Sequence, residues 1–131
     1  MYEYAIKQIL RVVDGDTVDI LFDLGFNVFH KERTRLTGVD TPESNSKNDQ
    51  ERILASEAKE FLAIWLINQN NLKIRTTKDD KYGRILGEIY GDNNICINKL
   101  LIEKGYAWEY NGDAKNKDFS LLIEKRKSYE N

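Results

Sequence analysis

The sequence predicts an α+β fold of five strands with about three α-helices packed on them. Three observations carry this. The first forty residues are rich in β-branched and aliphatic side chains broken by turn signals. Residues 51 to 67 carry a single apolar stripe at helical spacing. Two further strand-like runs and two short helical ones complete the order. Such an order is compatible with a Greek-key β-barrel of the OB type, although periodicity alone does not select it over another α+β fold. At 131 residues the chain suits one domain, residues 1–131, with room for a core but not for two.

The first two strands are IKQILRVV and TVDILFDL, separated by Asp14-Gly15-Asp16, a strong hairpin signal. After Gly25 a third run ends in TRLTGVD and is cut off by Thr41-Pro42. In the helix of residues 51–67, Leu54, Ala58, Phe61, Leu62 and Trp65 form the apolar stripe. Asn48 followed by Glu51 predicts a capping-box start. LKIRTT and RILGEIY give two more strands around a lysine-rich connection, Lys78 to Gly83. A short helix is expected from Ile95 to Lys104, stopped by Gly105. A last helix near residues 116–129 places Phe119, Leu122 and Ile123 on one face.

Composition narrows the chemistry. Hydrophobic content of 40% is that of an ordinary globular protein, and 32% charged residues does not suggest disorder. A lone Cys96 excludes an internal disulfide and a cysteine-based zinc site. A lone His30 excludes mechanisms that need a histidine pair. Any catalytic metal must therefore be held by oxygen, which points to calcium or magnesium. The net charge of −2 is unlike a strongly basic nucleic-acid binder, so phosphate attraction has to be local. Basic residues do cluster, at Lys78, Lys81 and Arg84, and again at Lys115, Lys117, Lys125, Arg126 and Lys127. For the second group a solvated helix face is the simpler reading. No signal peptide is visible and the longest apolar stretch, Phe61 to Ile67, is too short for a membrane span. A cytoplasmic protein is expected, or a secreted one if a leader has been removed.

Hydrolysis of a phosphodiester needs a nucleophilic water, charge stabilisation at the phosphoryl oxygens, and a grip that keeps the reacting groups in line. Asp16 and Asp40 each end a predicted strand and are suited to bind one divalent ion between them. Each precedes a threonine, Thr17 or Thr41, whose carbonyl can add an oxygen ligand. Glu43 follows Pro42, the chain's single proline, which stiffens the backbone that would aim the carboxylate at a water. Arg35 and Arg84 suit bidentate contact with phosphate. On a regular strand Arg35 and Asp40, five apart, point to opposite faces. Gly38 is the natural place for the alternation to break. Each segment alone has an ordinary reading as a turn or helix-entry loop; their joint occurrence is what points to chemistry.

The segments VVDGDTV, RLTGVDTPE and DKYGR, in this order and spacing, resemble the staphylococcal-nuclease-like (thermonuclease) domain family over roughly residues 5 to 110. LIEKGYAW, near residue 101, is similar to the family's late helix. The resemblance implies an OB-type barrel with packed helices that cleaves DNA and/or RNA with one calcium ion and leaves 3′-phosphate ends. Carried over, Asp16 and Asp40 are metal carboxylates and Thr41 a backbone-carbonyl ligand. Arg35, Glu43 and Arg84 are the catalytic residues, with Glu43 as general base and the arginines stabilising the pentacovalent phosphate. Lys81 and Tyr82 match positions that contact a nucleotide's phosphate. The tyrosines that pack against a base have Tyr106 and Tyr110 only as nearby candidates, and Tyr110 is the one taken as a substrate contact.

Among the remaining residues, His30 is read as an exposed loop residue, Cys96 as core or near-core, Trp65 as core, and Trp108 as core rather than a stacking platform. The function expected is a calcium-dependent, sugar-nonspecific nuclease, a monomer acting on nucleic acid without a membrane. The alternatives are a module of the same fold that binds nucleic acid or protein without catalysis, and a plain OB-type single-strand binder. Retention of Arg35, Asp40, Glu43 and Arg84 favours the enzyme over the inactive module. Sparse aromatics on the strands disfavour the single-strand binder.

Overall fold

In the computed structural model, residues 1–77, 83–110 and 117–129 are described. Five strands close a barrel: β1 (Tyr2–Asp14), β2 (Thr17–Asp23), β3 (Phe29–Leu36), β5 (Lys73–Thr76) and β6 (Ile85–Tyr90). Their order round the barrel is β1-β2-β3-β6-β5, antiparallel except for the parallel pair β3–β6. This is the expected α+β, OB-type barrel with three α-helices: α1 (Asp49–Ile67), α2 (Ile97–Glu103) and α3 (Phe119–Ser128).

The barrel interior follows from two different side-chain spacings. On β2, Val18, Ile20 and Phe22 alternate inward and are essentially fully buried. Their partners on β1 are Val12, Ile9 and Ile6, spaced by three. The register slips between Ile6 and Gln8, between Ile9 and Arg11, and between Val12 and Asp14. Each slip inserts one residue, so an apolar side chain every third position still faces the core, and the long strand coils round the barrel. Leu36, Ile74 and Ile89 add the inward side chains of β3, β5 and β6, and Leu62 and Leu66 of α1 seal them.

Helix α1 starts as the sequence predicts: the Asn48 side chain accepts the Glu51 N–H at 3.1 Å. The reciprocal half of the capping box is absent. The Asn48 N–H bonds Ser46 Oγ, and Glu51 turns its carboxylate to the Glu43 N–H at 3.0 Å. Helix α2 is shorter than expected, capped at Cys96, which is buried. Helix α3 buries Leu122 and Arg126. Arg126 bonds the carbonyls of Gly105 and Leu54 and pairs with Glu57 on α1. Among the described residues, no helix is long and apolar enough to cross a membrane.

An unpredicted two-stranded sheet forms where β4 (Val39–Asp40) pairs with β7 (Trp108–Glu109). It ties the segment after β3 to the chain that leads into α3.

Candidate active site

The strand β3 delivers Arg35, and its neighbours Thr34 and Leu36 are fully buried in the core, so Arg35 points outward. The chain then turns at Thr37-Gly38, with Gly38 at a φ of 77°, a left-handed conformation that costs glycine little. This is the break in alternation that the spacing of Arg35 and Asp40 requires. Asn98 pins the turn from within the core. Its Nδ2 donates to the carbonyls of Thr37 (2.9 Å) and Gly87 (3.0 Å), and its Oδ1 accepts the Ile89 N–H. Sequence reasoning missed Asn98, although a polar residue on the apolar face of a short helix was a usable signal.

On the far side of the turn, β4 presents Asp40. From the β1–β2 connection Asp16 arrives, its carbonyl accepting the Leu36 N–H at 2.8 Å. One guanidinium nitrogen of Arg35 lies 3.6 Å from Asp16 and 3.9 Å from Asp40. The other nitrogen donates to the carbonyls of Leu36 (3.2 Å) and Val39 (3.0 Å), which fixes the fork. Thr17 Oγ1 donates to the Asp16 carboxylate at 3.0 Å. The Arg35 guanidinium lies 5.7 Å from the centre of the Tyr110 ring, and the Tyr110 N–H bonds the Gly38 carbonyl. Asp16, Arg35, Asp40 and Tyr110, predicted separately, therefore meet at one end of the barrel.

Burial, more than any neighbour, raises the Asp40 carboxyl above its ordinary value; Asp16 and Glu51 add to this, and Lys117 and Arg35 oppose it. Asp14 is not part of the cluster, since its carboxylate accepts the Ser44 hydroxyl. Thr41 is buried. A Cβ added at Gly15 would lie 3.1 Å from Thr41 Cγ2 and 3.0 Å from Ala58 Cβ. The Asp14-Gly15-Asp16 turn is thus seated between α1 and Thr41. Among the described residues, no three acidic, histidine or cysteine side chains converge as a metal cluster. The oxygen donors available are two carboxylates and backbone carbonyls.

Glu43 projects toward solvent, and its carboxylate is 3.6 Å from Lys117 Nζ. Arg84 immediately precedes β6, whose Ile85 and Leu86 pair with Thr34 and Arg35. It therefore enters the sheet beside the strand that carries Arg35. Lys81 and Tyr82 lie outside the described residues. The basic group near the C-terminus is not one solvated face: Arg126 is buried, Lys125 donates to the Ile102 carbonyl, and Lys117 reaches Glu43. Trp108 is core, as expected, with its indole N–H on the Asp118 carbonyl. His30 is exposed but lies on β3 rather than in a loop, paired with Glu32.

A family model described as "Staphylococcal nuclease homologue" matches residues 33–129. An uncharacterized endonuclease of Escherichia coli is 29% identical over 103 residues, covering 79% of this chain and 60% of that protein. A micrococcal nuclease of Shigella flexneri is 29% identical over 122 residues, covering 87% of this chain and 63% of that protein. A probable staphylococcal-like nuclease of Oryza sativa subsp. japonica is 36% identical over 80 residues, 61% of this chain and 22% of that protein. The chain spans less than two thirds of the length of these relatives.

Proposed function

This chain belongs to the staphylococcal nuclease homologue family, and from that premise we propose that it is a calcium-dependent nuclease hydrolysing phosphodiester bonds in DNA and/or RNA. The observation that carries the reading is the single Arg35 nitrogen within 4 Å of both Asp16 and Asp40. Two carboxylates gathered round a fixed guanidinium make a mouth that can take a cation and a phosphate side by side.

The donors suit calcium: the carboxylates of Asp16 and Asp40 and the carbonyl of Thr41 are hard oxygen ligands, with waters completing the shell. Burial, with a smaller contribution from Asp16 and Glu51, holds the Asp40 carboxyl above its ordinary value, and a cation beside it favours the ionised form. When bound, such an ion supplies positive charge to a phosphoryl oxygen and acidifies a water. Arg35, held by two backbone carbonyls, offers its remaining edge to the phosphate without having to be ordered first. Arg84 grips the same group from its position just before β6. Glu43 accepts the proton of the attacking water. Lys81 and Tyr82 contact the nucleotide's phosphates, and Tyr110 offers its ring to a base beside Arg35.

The test is steady-state cleavage of a short single-stranded oligonucleotide by the native chain, Arg84→Ala and Glu43→Gln. Losing one donor to transition-state charge costs on the order of 10²–10³ in rate, so Arg84→Ala is expected to depress kcat by that factor with KM little changed. Products should carry 3′-phosphates. Tight binding of the oligonucleotide by the native chain without cleavage would make this a binding module instead.

A further inference from the structure

Glu43 is two-thirds exposed, with a side-chain exposure of 65%, and an exposed glutamate ordinarily samples several rotamers. Here it sits in a closed circuit of contacts. Its backbone N–H donates to Glu51 Oε2 at 3.0 Å. The same Glu51 oxygen lies 3.7 Å from Lys117 Nζ, and Lys117 Nζ returns to the Glu43 carboxylate at 3.6 Å. Glu51 is almost fully covered, with 10% of its side chain exposed, so the anchor of the circuit is rigid. Lys117 is itself located from the other side. The next residue, Asp118, caps α3 by accepting the Leu121 N–H, and its carbonyl accepts the Trp108 indole N–H at 3.1 Å. Lys117 Nζ also lies 5.9 Å from the centre of the Trp108 ring, and Trp108 pairs with Asp40 across β7 and β4.

We propose that Lys117 is the positioning residue for Glu43, reaching from the N-terminal end of α3 to aim the carboxylate that serves the attacking water. This rests on the nuclease reading and deepens it: the C-terminal helix is part of the catalytic arrangement and not only a cover for α1. Lys117 acts through Glu43, and its contribution is to the reaction step rather than to holding substrate. A solvated lysine on a helix face would have neither property.

The experiment is steady-state cleavage of a short single-stranded DNA in calcium by the native chain, Lys117→Met, Lys117→Arg, Glu43→Gln and the double variant Lys117→Met/Glu43→Gln, with thermal unfolding of each. A displacement of a reacting group by about 1 Å costs on the order of 10² in rate. Lys117→Met is therefore expected to lower kcat roughly 10- to 100-fold with KM within about twofold and an unchanged unfolding midpoint. Lys117→Arg, which keeps a cation in reach, should recover most of the rate. In the Glu43→Gln background Lys117→Met should cause no further loss, because its effect passes through Glu43. A raised KM at unchanged kcat would make Lys117 a phosphate contact and overturn the proposal. So would additive losses in the double variant, a marked fall in unfolding midpoint, or an unchanged or increased kcat. A native chain that cleaves nothing would instead overturn the nuclease reading.

Discussion

Replacing Gly15 with alanine tests how the β1–β2 turn is seated. The new Cβ would lie 3.0 Å from Ala58 Cβ, 3.1 Å from Thr41 Cγ2 and 3.4 Å from the Ala58 carbonyl carbon. Carbon atoms rest at about 3.5–4.0 Å, so two contacts are short by roughly half an ångström. Neither neighbour can swing aside: Ala58 is fully buried on α1, and Thr41 is buried beside Pro42. Gly15 does not have a left-handed backbone, so crowding alone sets the cost. Overpacking of this kind costs about 1–3 kcal/mol. Relief requires the turn to move away from Thr41, carrying Asp16 away from Asp40. A shift of about 1 Å then lowers the rate on the order of 10²-fold. The assay pairs urea denaturation with cleavage of a short single strand. Gly25→Ala is the control, at the other end of β2, with a φ of 82° and open space around it. It should lose about 1–2 kcal/mol to backbone strain and keep its activity. Ala58→Gly in the Gly15→Ala background removes the tightest contact while costing about 1 kcal/mol of helix propensity, so rate should recover more than stability. A Gly15→Ala protein as active and stable as the native chain, or a Gly25→Ala protein equally impaired in rate, would refute the reasoning.

Two further outcomes are expected. Because burial raises the Asp40 carboxyl above its ordinary 3.8, the folded chain binds more protons there than the unfolded one, and stability falls as pH rises through that window. Asp40→Asn in metal-free buffer should therefore raise Tm at pH 7, with the gain vanishing as pH drops below the ordinary aspartate range; a lowered Tm at pH 7 would contradict this. Asn98→Leu deprives the Thr37 carbonyl and the Ile89 N–H of a buried partner, at about 1–3 kcal/mol for each group left unsatisfied, while the Gly87 carbonyl keeps the Thr37 N–H. Denaturation midpoints should fall accordingly, and an unchanged midpoint would show that the turn is held by other contacts.

How far the sequence could be read depended on whether the relevant contacts were local. Val18, Ile20 and Phe22 alternate cleanly, and the apolar stripe of α1 is periodic, so both elements were visible. On β1 the core side chains Ile6, Ile9 and Val12 recur every third residue because of the bulges, a spacing that matches neither strand nor helix. The β4–β7 pair is two residues long and joins distant segments, so no window of sequence contains it. Gly38 did announce the bend that brings Arg35 and Asp40 together, since only a departure from strand geometry could do so. Lys117 carried no local signal. Its significance comes from α3 docking through Arg126 on Glu57, Leu54 and Gly105, and one lysine among several in a polar stretch gives no hint of that.

The most direct measurement is cleavage of plasmid and single-stranded DNA by the full chain in calcium, in chelator, and in chelator followed by excess calcium, with Arg35→Met alongside. Phosphodiester hydrolysis should appear with calcium, vanish with chelator, return on adding calcium back, and be lost in Arg35→Met. Full cleavage in chelator, or an Arg35→Met protein that cuts as fast as the native chain, would contradict a reaction centred on Asp16, Arg35 and Asp40.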